Sequence, residues 1–401
     1  VPQFLTRQFV ISFYLPQIIF STCGGLLIPV LPLFAAELGA PYWLIGVVLA
    51  LDPFGTMIGD VPAGLTLRRF PTKTVILLGT LGVLLATGLL FFADSILPVL
   101  FLRFSSGFFR ALYGVAQHTY LAQQIPMVER GRAIALFGGA FRVGSFLGPA
   151  MGGAVGLAFG LRAVFVVFAL LMLVSLLGAF LFMPASPKKA AEVELPLHPS
   201  LRQILAQSKQ IFLVAGAGQL FAQMIRAGRT TLLPLYAADI LGLDVAAIGT
   251  IISLGTAMDV LMVYPAGMIM DRVGRKWAIV PCFGLQAVGM LLLPLTTSIA
   301  GLAVVNIFMG FSNGLGSGTM MTLGSDLAPP EVRGEFLGVW RFIGDIGFSG
   351  GPLLVGSIAD ILILPAAAVA VAASGFTAAL IFGLGVPETL KKRKREAEAA
   401  F

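Results

Sequence analysis

Four aspartates and six arginines fall inside long apolar runs of this sequence. They are Asp52, Asp60, Asp259 and Asp345, with Arg103, Arg110, Arg142, Arg226, Arg229 and Arg341. A charge held in hydrocarbon costs on the order of 3 kcal/mol, so each of these residues needs a partner or a task. The chemistry open to the set is proton binding and charge pairing. Burial makes a carboxylate keep its proton, and an adjacent arginine makes it let go. A pair that opens and closes would do both in turn. Asp52 is the first candidate for such a role, because it stands mid-run in the first half of the chain. Asp345 is the second, with Arg341 one helical turn away. Asp60 and Asp259 complete the carboxylates. Each pair also has a plainer reading, in which it only fixes how two helices dock.

Counting about 1.5 Å per helical residue puts Asp52 and Arg103 at similar depth, with Asp60 and Arg110 one or two turns deeper. The spacing predicts a two-rung Asp/Arg ladder between two helices. The same count places Asp259, Arg226 and Asp345 in one layer of the second half. Arg226 and Arg229 need partners; a gate with an acidic residue or an anionic substrate group would supply one. Arg142 belongs with the same gate candidates. Asp60 is alternatively placed to pair Arg68 or Arg69. Polar and aromatic residues on the same runs are candidates for lining a cavity: Gln17, Phe104, Phe108, Tyr113, Gln219, Phe221, Gln223, Phe311 and Asn313. Ligand pockets are mostly apolar with a few placed polar groups, which fits that mixture.

The runs that carry these residues set the class of protein. Of 401 residues, 58% are apolar and only 11% charged, whereas a soluble domain is roughly 25% charged. About 20 apolar residues span a bilayer as a helix. Twelve such blocks are present, near residues 8–36, 43–66, 74–93, 96–120, 130–156, 160–184, 209–238, 245–270, 277–297, 299–325, 333–359 and 364–386. Lipid permits helices or closed barrels, and blocks this long are helices. Two cysteines and two histidines exclude a disulfide framework and a metal centre. No nucleotide-binding motif and no bond-breaking constellation is present, so neither cofactor nor enzyme activity is expected. No cleavable signal peptide is expected either; the first block would serve as the insertion signal.

The net charge of +7 comes from topology. Arg7, Arg68, Arg69, Lys73, Arg130, Arg132, Lys188, Lys189, Arg202, Lys209, Arg272, Arg275, Lys276, Arg333 and the five of the tail, Lys391 to Arg395, fall on one side of the membrane, which makes 19 of 26 basic residues. The other side has Arg162. Short basic loops stay in the cytoplasm, so both termini are expected there, and nucleic acid is not a needed partner.

The Pro-rich stretch 185–206 separates two halves that match at a constant offset of 203 (242 − 39). Gly39 pairs with Gly242, Pro62 with Pro265, Gly107 with Gly310, Gly148 with Gly351 and Pro149 with Pro352. The expected organisation is a six-helix bundle over 1–184, a linker over 185–206, a second six-helix bundle over 207–387 and a basic tail over 388–401. After the eighth block the chain reads GMIMDRVGRK, with Gly267, Asp271, Arg272, Gly274 and Arg275. This resembles the signature loop of the major facilitator superfamily. Its first copy, GLTLRRFPTK, has Gly64, Arg68 and Arg69, with Arg68 at the usual Asp position and Pro71 at the usual Gly position. Arg103 with Gly107 resembles the family's Arg-xxx-Gly motif. GSFLGPAMGG, with Gly144, Gly148, Pro149, Gly152 and Gly153, resembles the Gly-Pro motif of antiporters, and PVLP at Pro29–Pro32 resembles the twelve-helix drug/proton antiporters.

That resemblance implies an all-α membrane protein of twelve helices in two pseudo-symmetric bundles, working by alternating access. In the signature loop it implies that Gly267 allows close helix packing, that Asp271 meets the positive end of a neighbouring helix, and that Arg272, Arg275 and Lys276 stay at the membrane interface. It implies a monomeric, proton-coupled exporter of small amphiphilic or drug-like molecules in a bacterial cytoplasmic membrane. The arginine excess keeps an organic-anion transporter open, as uniporter, exchanger or symporter. A lysolipid or siderophore exporter is equally compatible, and the altered first signature loop admits a transporter-like receptor without flux.

Overall fold

The computed structural model describes residue 6 and residues 9–125, 127–184, 208–329 and 332–390. The expected linker and most of the basic tail lie outside the described residues, as does the side chain of Arg130. Among the described residues, twelve helices are long and apolar enough to cross a membrane. They are α1 (Val10–Glu37), α2 (Tyr42–Arg69), α3 (Thr72–Phe92), α4 (Ile96–Gln124), α5 (Arg132–Phe159), α6 (Leu161–Phe182), α7 (Lys209–Asp239), α8 (Val245–Arg272), α9 (Lys276–Leu295), α10 (Ile299–Leu327), α11 (Arg333–Ile361) and α12 (Leu364–Gly385). The widest disagreement with the sequence-based ends is in α4, expected to stop at 120 and continuing to Gln124. The protein is an all-α, multi-pass integral membrane protein.

The chain forms two compact units. The first comprises Val1–Val193 with Gly242–Ser253, and the second Glu194–Leu241 with Leu254–Phe401. In the first, a core of Leu26, Val30, Phe34, Phe165 and Phe168 joins α1 to α6. An aromatic group of Phe9, Phe13, Tyr14, Tyr120 and Phe137 closes the end nearest the basic loops. In the second, Phe283 stacks on Phe382, and Phe336 bridges Phe212 and Trp340.

The 203-residue repeat is visible in the packing itself. A Cβ on Gly107 would strike the backbone carbonyl of Asp52, and one on Gly310 would strike that of Gly255 (52 + 203). Both glycines therefore let a helix backbone rest directly on its neighbour. Thr56 Oγ1 reinforces the first contact by donating to the carbonyls of Asp52 (3.0 Å) and Gly107 (3.1 Å). Gly148 and Gly351 meet backbone atoms of Gly25 and Gly228 in the same paired manner. Gly39 and Gly242, at φ +77° and +62°, make the corresponding turns. Lys73 Nζ donates to the carbonyls of Phe180 (2.8 Å) and Met183 (2.7 Å), and Lys276 Nζ donates to that of Gly383 (2.7 Å). Each lysine thus satisfies carbonyls at the end of the last helix of its unit, where no further N–H is available.

One helix departs from expectation. The run 299–325 was expected to be continuous, but regular helix ends at Leu315 and resumes at Thr319, with Gly318 at φ +75°. Three glycines in NGLGSG, Gly314, Gly316 and Gly318, permit the break.

The close approach at Gly107 yields a stability test. Gly107→Ala should destabilise the protein by about 1–3 kcal/mol through overpacking, read as a lowered Tm in detergent. Gly114→Ala, on the same helix with nothing within 4 Å of the added carbon, should leave Tm unchanged or raise it. Equal effects of the two substitutions would contradict this packing.

Candidate functional site

In the first unit, Asp52 lies between two arginines. Its Oδ1 is 3.4 Å from Arg103 Nη2 and its Oδ2 is 3.1 Å from Arg110 Nε. Both arginines of the expected two-rung ladder therefore converge on Asp52. Side chains on a helix lean toward its N-terminus. Arg110, placed deeper on α4, consequently extends back to the level of Asp52. The Asp52 and Arg103 side chains are only 8% and 7% exposed, whereas that of Arg110 is 30% exposed. Arg110 lies over the ring of Phe20, and Phe20 stacks on Tyr113 at 4.1 Å. The Tyr113 hydroxyl donates to Gln17 Oε1 (3.3 Å) and accepts from Gln117 Nε2 (2.7 Å). Asp52, Arg103, Arg110, Gln17 and Tyr113 thus belong to one buried polar cluster built from α1, α2 and α4.

Phe104 and Phe108 stand on the α4 face against which Gly55 and Gly59 of α2 pack. Asp60 and Arg142 are half-buried in the same unit. The glycines of the antiporter-like motif pack closely against neighbouring backbone. Gly144, Gly148 and Gly152 rest on the backbone of α1, and Gly153 on that of Val245. Beside Pro149, Ser253 Oγ accepts from the Ala150 N–H (3.0 Å) and donates to the Phe146 carbonyl (2.8 Å). A hydroxyl so inserted bridges the groups of one i to i+4 helical bond, a recognised origin of helix bending.

The second unit has its own cluster, at the break in α10. Arg226 Nε donates to Asn313 Oδ1 (3.0 Å) and its Nη2 to the Gly316 carbonyl (3.1 Å). Its guanidinium also lies 5.1 Å from the Phe283 ring centroid. Asn313 Nδ2 donates to Asp259 Oδ2 (3.0 Å). Arg226 and Asp259 therefore meet through Asn313. Arg229 lies in the field of both Asp259 and Arg226, and its buried Nη1 has no hydrogen-bond partner in the protein. Asp345 is half-buried and faces Arg341, itself 56% exposed, across 4.0 Å on α11. Gln219 is buried and, with Gln223, packs against Gly344 of α11, while Phe221 and Phe311 are half-buried.

At the signature loop, one expectation is corrected. Gly267 would meet nothing within 4 Å of an added Cβ, so it is not a close-packing position, and Gly64 is likewise open. Asp271 pairs with Arg275 at 2.9 Å. Arg275 is buried, and it also pairs with Asp326 at 3.2 Å. Glu388 occupies the helix end, accepting the backbone N–H groups of Arg275 (2.9 Å) and Lys276 (3.0 Å) at the start of α9. Gly274 allows this approach, because a side chain there would strike the Glu388 carboxylate. Sequence reasoning missed Glu388, whose only signal was its place three residues beyond α12. In the first unit the matching positions (275 − 203 and 326 − 203) hold Thr72 and Gln123, joined by a neutral hydrogen bond of 3.1 Å. Arg68 and Arg69 are exposed there.

Among the described residues, twelve helices long enough to cross a membrane carry internal charge clusters, and one of them is broken within its span. The sequence model of the Major Facilitator Superfamily matches residues 14–225 and 215–401, and the chain belongs to that superfamily, which makes it a transporter and not an enzyme. It is 22% identical over 340 residues to an uncharacterized MFS-type transporter of Methanocaldococcus jannaschii, covering 84% of this chain and 88% of the relative. It is 24% identical over 351 residues to multidrug resistance protein MdtG of Proteus mirabilis, covering 84% and 85%. Among solved structures, a POT family transporter in complex with 5-aminolevulinic acid superposes with TM-score 0.77 at 12% identity, covering 96% of this chain and 98% of that one. A bacterial homologue of the human lysosomal transporter Spinster gives TM-score 0.77 at 14% identity, covering 94% of each.

The Glu388 contact carries a pH test. Burial acts to raise its pKa, but the backbone N–H groups of Leu390, Arg275 and Lys276 outweigh burial and hold it below its ordinary value of 4.5. A depressed carboxylate contributes stability that is complete above the unfolded value and is lost as pH falls through the folded one. Glu388→Gln should therefore lower Tm at pH 7, and the gap from wild type should close as pH falls below 4.5. A gap that stays constant through that range would exclude the contact as described.

Proposed function

We propose that this transporter exports small amphiphilic, drug-like molecules in exchange for protons, with Asp52 as the proton-carrying carboxylate. The observation that supports it is the unequal pair of arginines. Arg103 is buried beside Asp52, while the Arg110 side chain is 30% exposed and rests on an aromatic face. One cation is fixed and the other is free to leave. A carboxylate that loses a neighbouring cation takes up a proton more readily. Movement of Arg110 during alternating access would therefore switch Asp52 between proton-binding and proton-releasing states. Similarity to multidrug resistance proteins at 24–25% identity supports the export of drug-like substrates. The basic loops support a reading with both termini in the cytoplasm, and in it the protein acts as a monomer in a bacterial cytoplasmic membrane.

Substrate-driven proton flux in proteoliposomes tests the proposal. Asp52→Asn should abolish proton movement while substrate binding persists. Asp345→Asn and Asp259→Asn should retain it. Removing Asp52 leaves the buried Arg103 without its carboxylate, a change that costs about 3–5 kcal/mol when a buried pair is broken. Arg110→Gln is therefore the gentler companion. It keeps the carboxylate but removes the cation that moves, so substrate binding should persist while proton-coupled flux falls. Coupled flux that survives Asp52→Asn would reassign the carrier to another carboxylate.

A further inference from the structure

We infer that Arg229 forms an oxyanion subsite in the second unit, so that the substrates of this transporter are amphiphiles bearing a carboxylate or phosphate. This rests on the export reading for its physiological direction, but the binding claim stands on the second unit alone. The starting point is how differently the two arginines of α7 are used. Arg226 has a full set of partners in Asn313, the Gly316 carbonyl and the Phe283 ring. It holds the broken segment of α10 together, because the carbonyl released at the break finds its donors in Arg226 and in Thr319 Oγ1 (2.7 Å). Arg229 does none of this. It stands three residues along the same helix, beside the same cluster, with a buried Nη1 that no protein acceptor serves.

The charge balance points the same way. In the first unit one carboxylate touches both of its arginines directly. In the second, Asp259 accepts from Asn313, and Arg229 lies in the fields of both Asp259 and Arg226. Each unit thus sets two guanidiniums against one carboxylate, but in the second an amide takes the carboxylate oxygen, and Arg229 keeps a buried donor that no protein acceptor serves. A guanidinium fork matches the oxygens of a carboxylate or phosphate and makes the stronger, charge-assisted kind of hydrogen bond. Helices interrupted inside a membrane are where transporters of several folds place substrate groups, and the interrupted α10 supplies the wall of this cluster. The subsite is therefore assigned to Arg229, with Arg226, Asn313 and Asp259 as the frame that positions it.

The test uses purified full-length protein in nanodiscs and one alkylphenyl skeleton carrying a carboxylate, a phosphate, a primary amide or a primary amine. Binding is measured for each, without flux. Wild type should bind an acidic form at least about tenfold more tightly than the amide, the scale of a single charge-assisted contact. The carboxylate and phosphate arms show which oxyanion is preferred. Arg229→Gln should erase the preference while leaving amide affinity and Tm unchanged, and Arg229→Lys should retain part of it. Arg226→Gln should instead lower Tm, as loss of a structural partner. Wild type that binds the amide or amine as tightly as the acids would overturn the subsite, as would an acid preference that survives in Arg229→Gln. Should Arg229→Gln fail to fold, the wild-type ranking and Arg229→Lys still decide the matter. Acid preference without proton-coupled flux would sink the export reading and spare the subsite. Coupled flux of cationic drugs without acid preference would do the reverse.

Discussion

A backbone carbonyl exposed to lipid has no water to turn to, so it must find its partner within the protein. Much of the local structure follows from that constraint. Lys73 and Lys276 reach for the last carbonyls of α6 and α12. Ser253 fills the gap in the hydrogen-bond ladder beside Pro149. Arg226 takes up the carbonyl exposed where α10 breaks. In each case an irregularity in a helix and a polar side chain from another segment occur together, and neither would be tolerated alone.

The two units solve the same packing problem with different chemistry. Their shared backbone contacts, Gly107 on Asp52 and Gly310 on Gly255, show that helix proximity is common to both. What differs is the charge laid on top. The first unit places its carboxylate at that contact, where arginines from α4 reach it. The second has glycine there and carries its carboxylate one turn further on, at Asp259 (259 − 203 = 56, four residues after 52). At the loops the pattern inverts. The second unit has the charged set Arg275, Asp271, Asp326 and Glu388, and the first has the neutral pair Thr72 and Gln123. Arg68 in place of an aspartate is thus one part of a coordinated change across the whole loop contact.

The helices were legible because apolar length is a one-dimensional signal, and the repeat because glycine and proline sit where backbones must meet. Partners were less legible. Depth counting placed Asp52 with Arg103 but treated side chains as points, and so gave Arg110 to Asp60. Arginine spans more than a helical turn, and its lean along the helix decides which rung it joins. Glu388 escaped notice because it acts across a long sequence separation on the start of α9. The break in α10 was written in Gly314, Gly316 and Gly318, yet hydropathy counts glycine in a span without registering that three in five positions loosen it.

These differences bear on how charge is divided within each unit. A carboxylate clamped directly by two cations is suited to exchange a proton when one cation withdraws, because its own charge is what the cations balance. A carboxylate held by an amide leaves Arg229 with a buried donor unserved, and the balance is then open to a charge from outside. In the proposed cycle the first arrangement, at Asp52, would answer to protons, and the second, at Asp259, Asn313 and the α7 arginines, to a ligand. Placing the irregular helix in the second unit fits this division, since a site that must admit substrates of varied shape gains from backbone that is not locked into a continuous helix, whereas a proton needs only a carboxylate and a partner that moves.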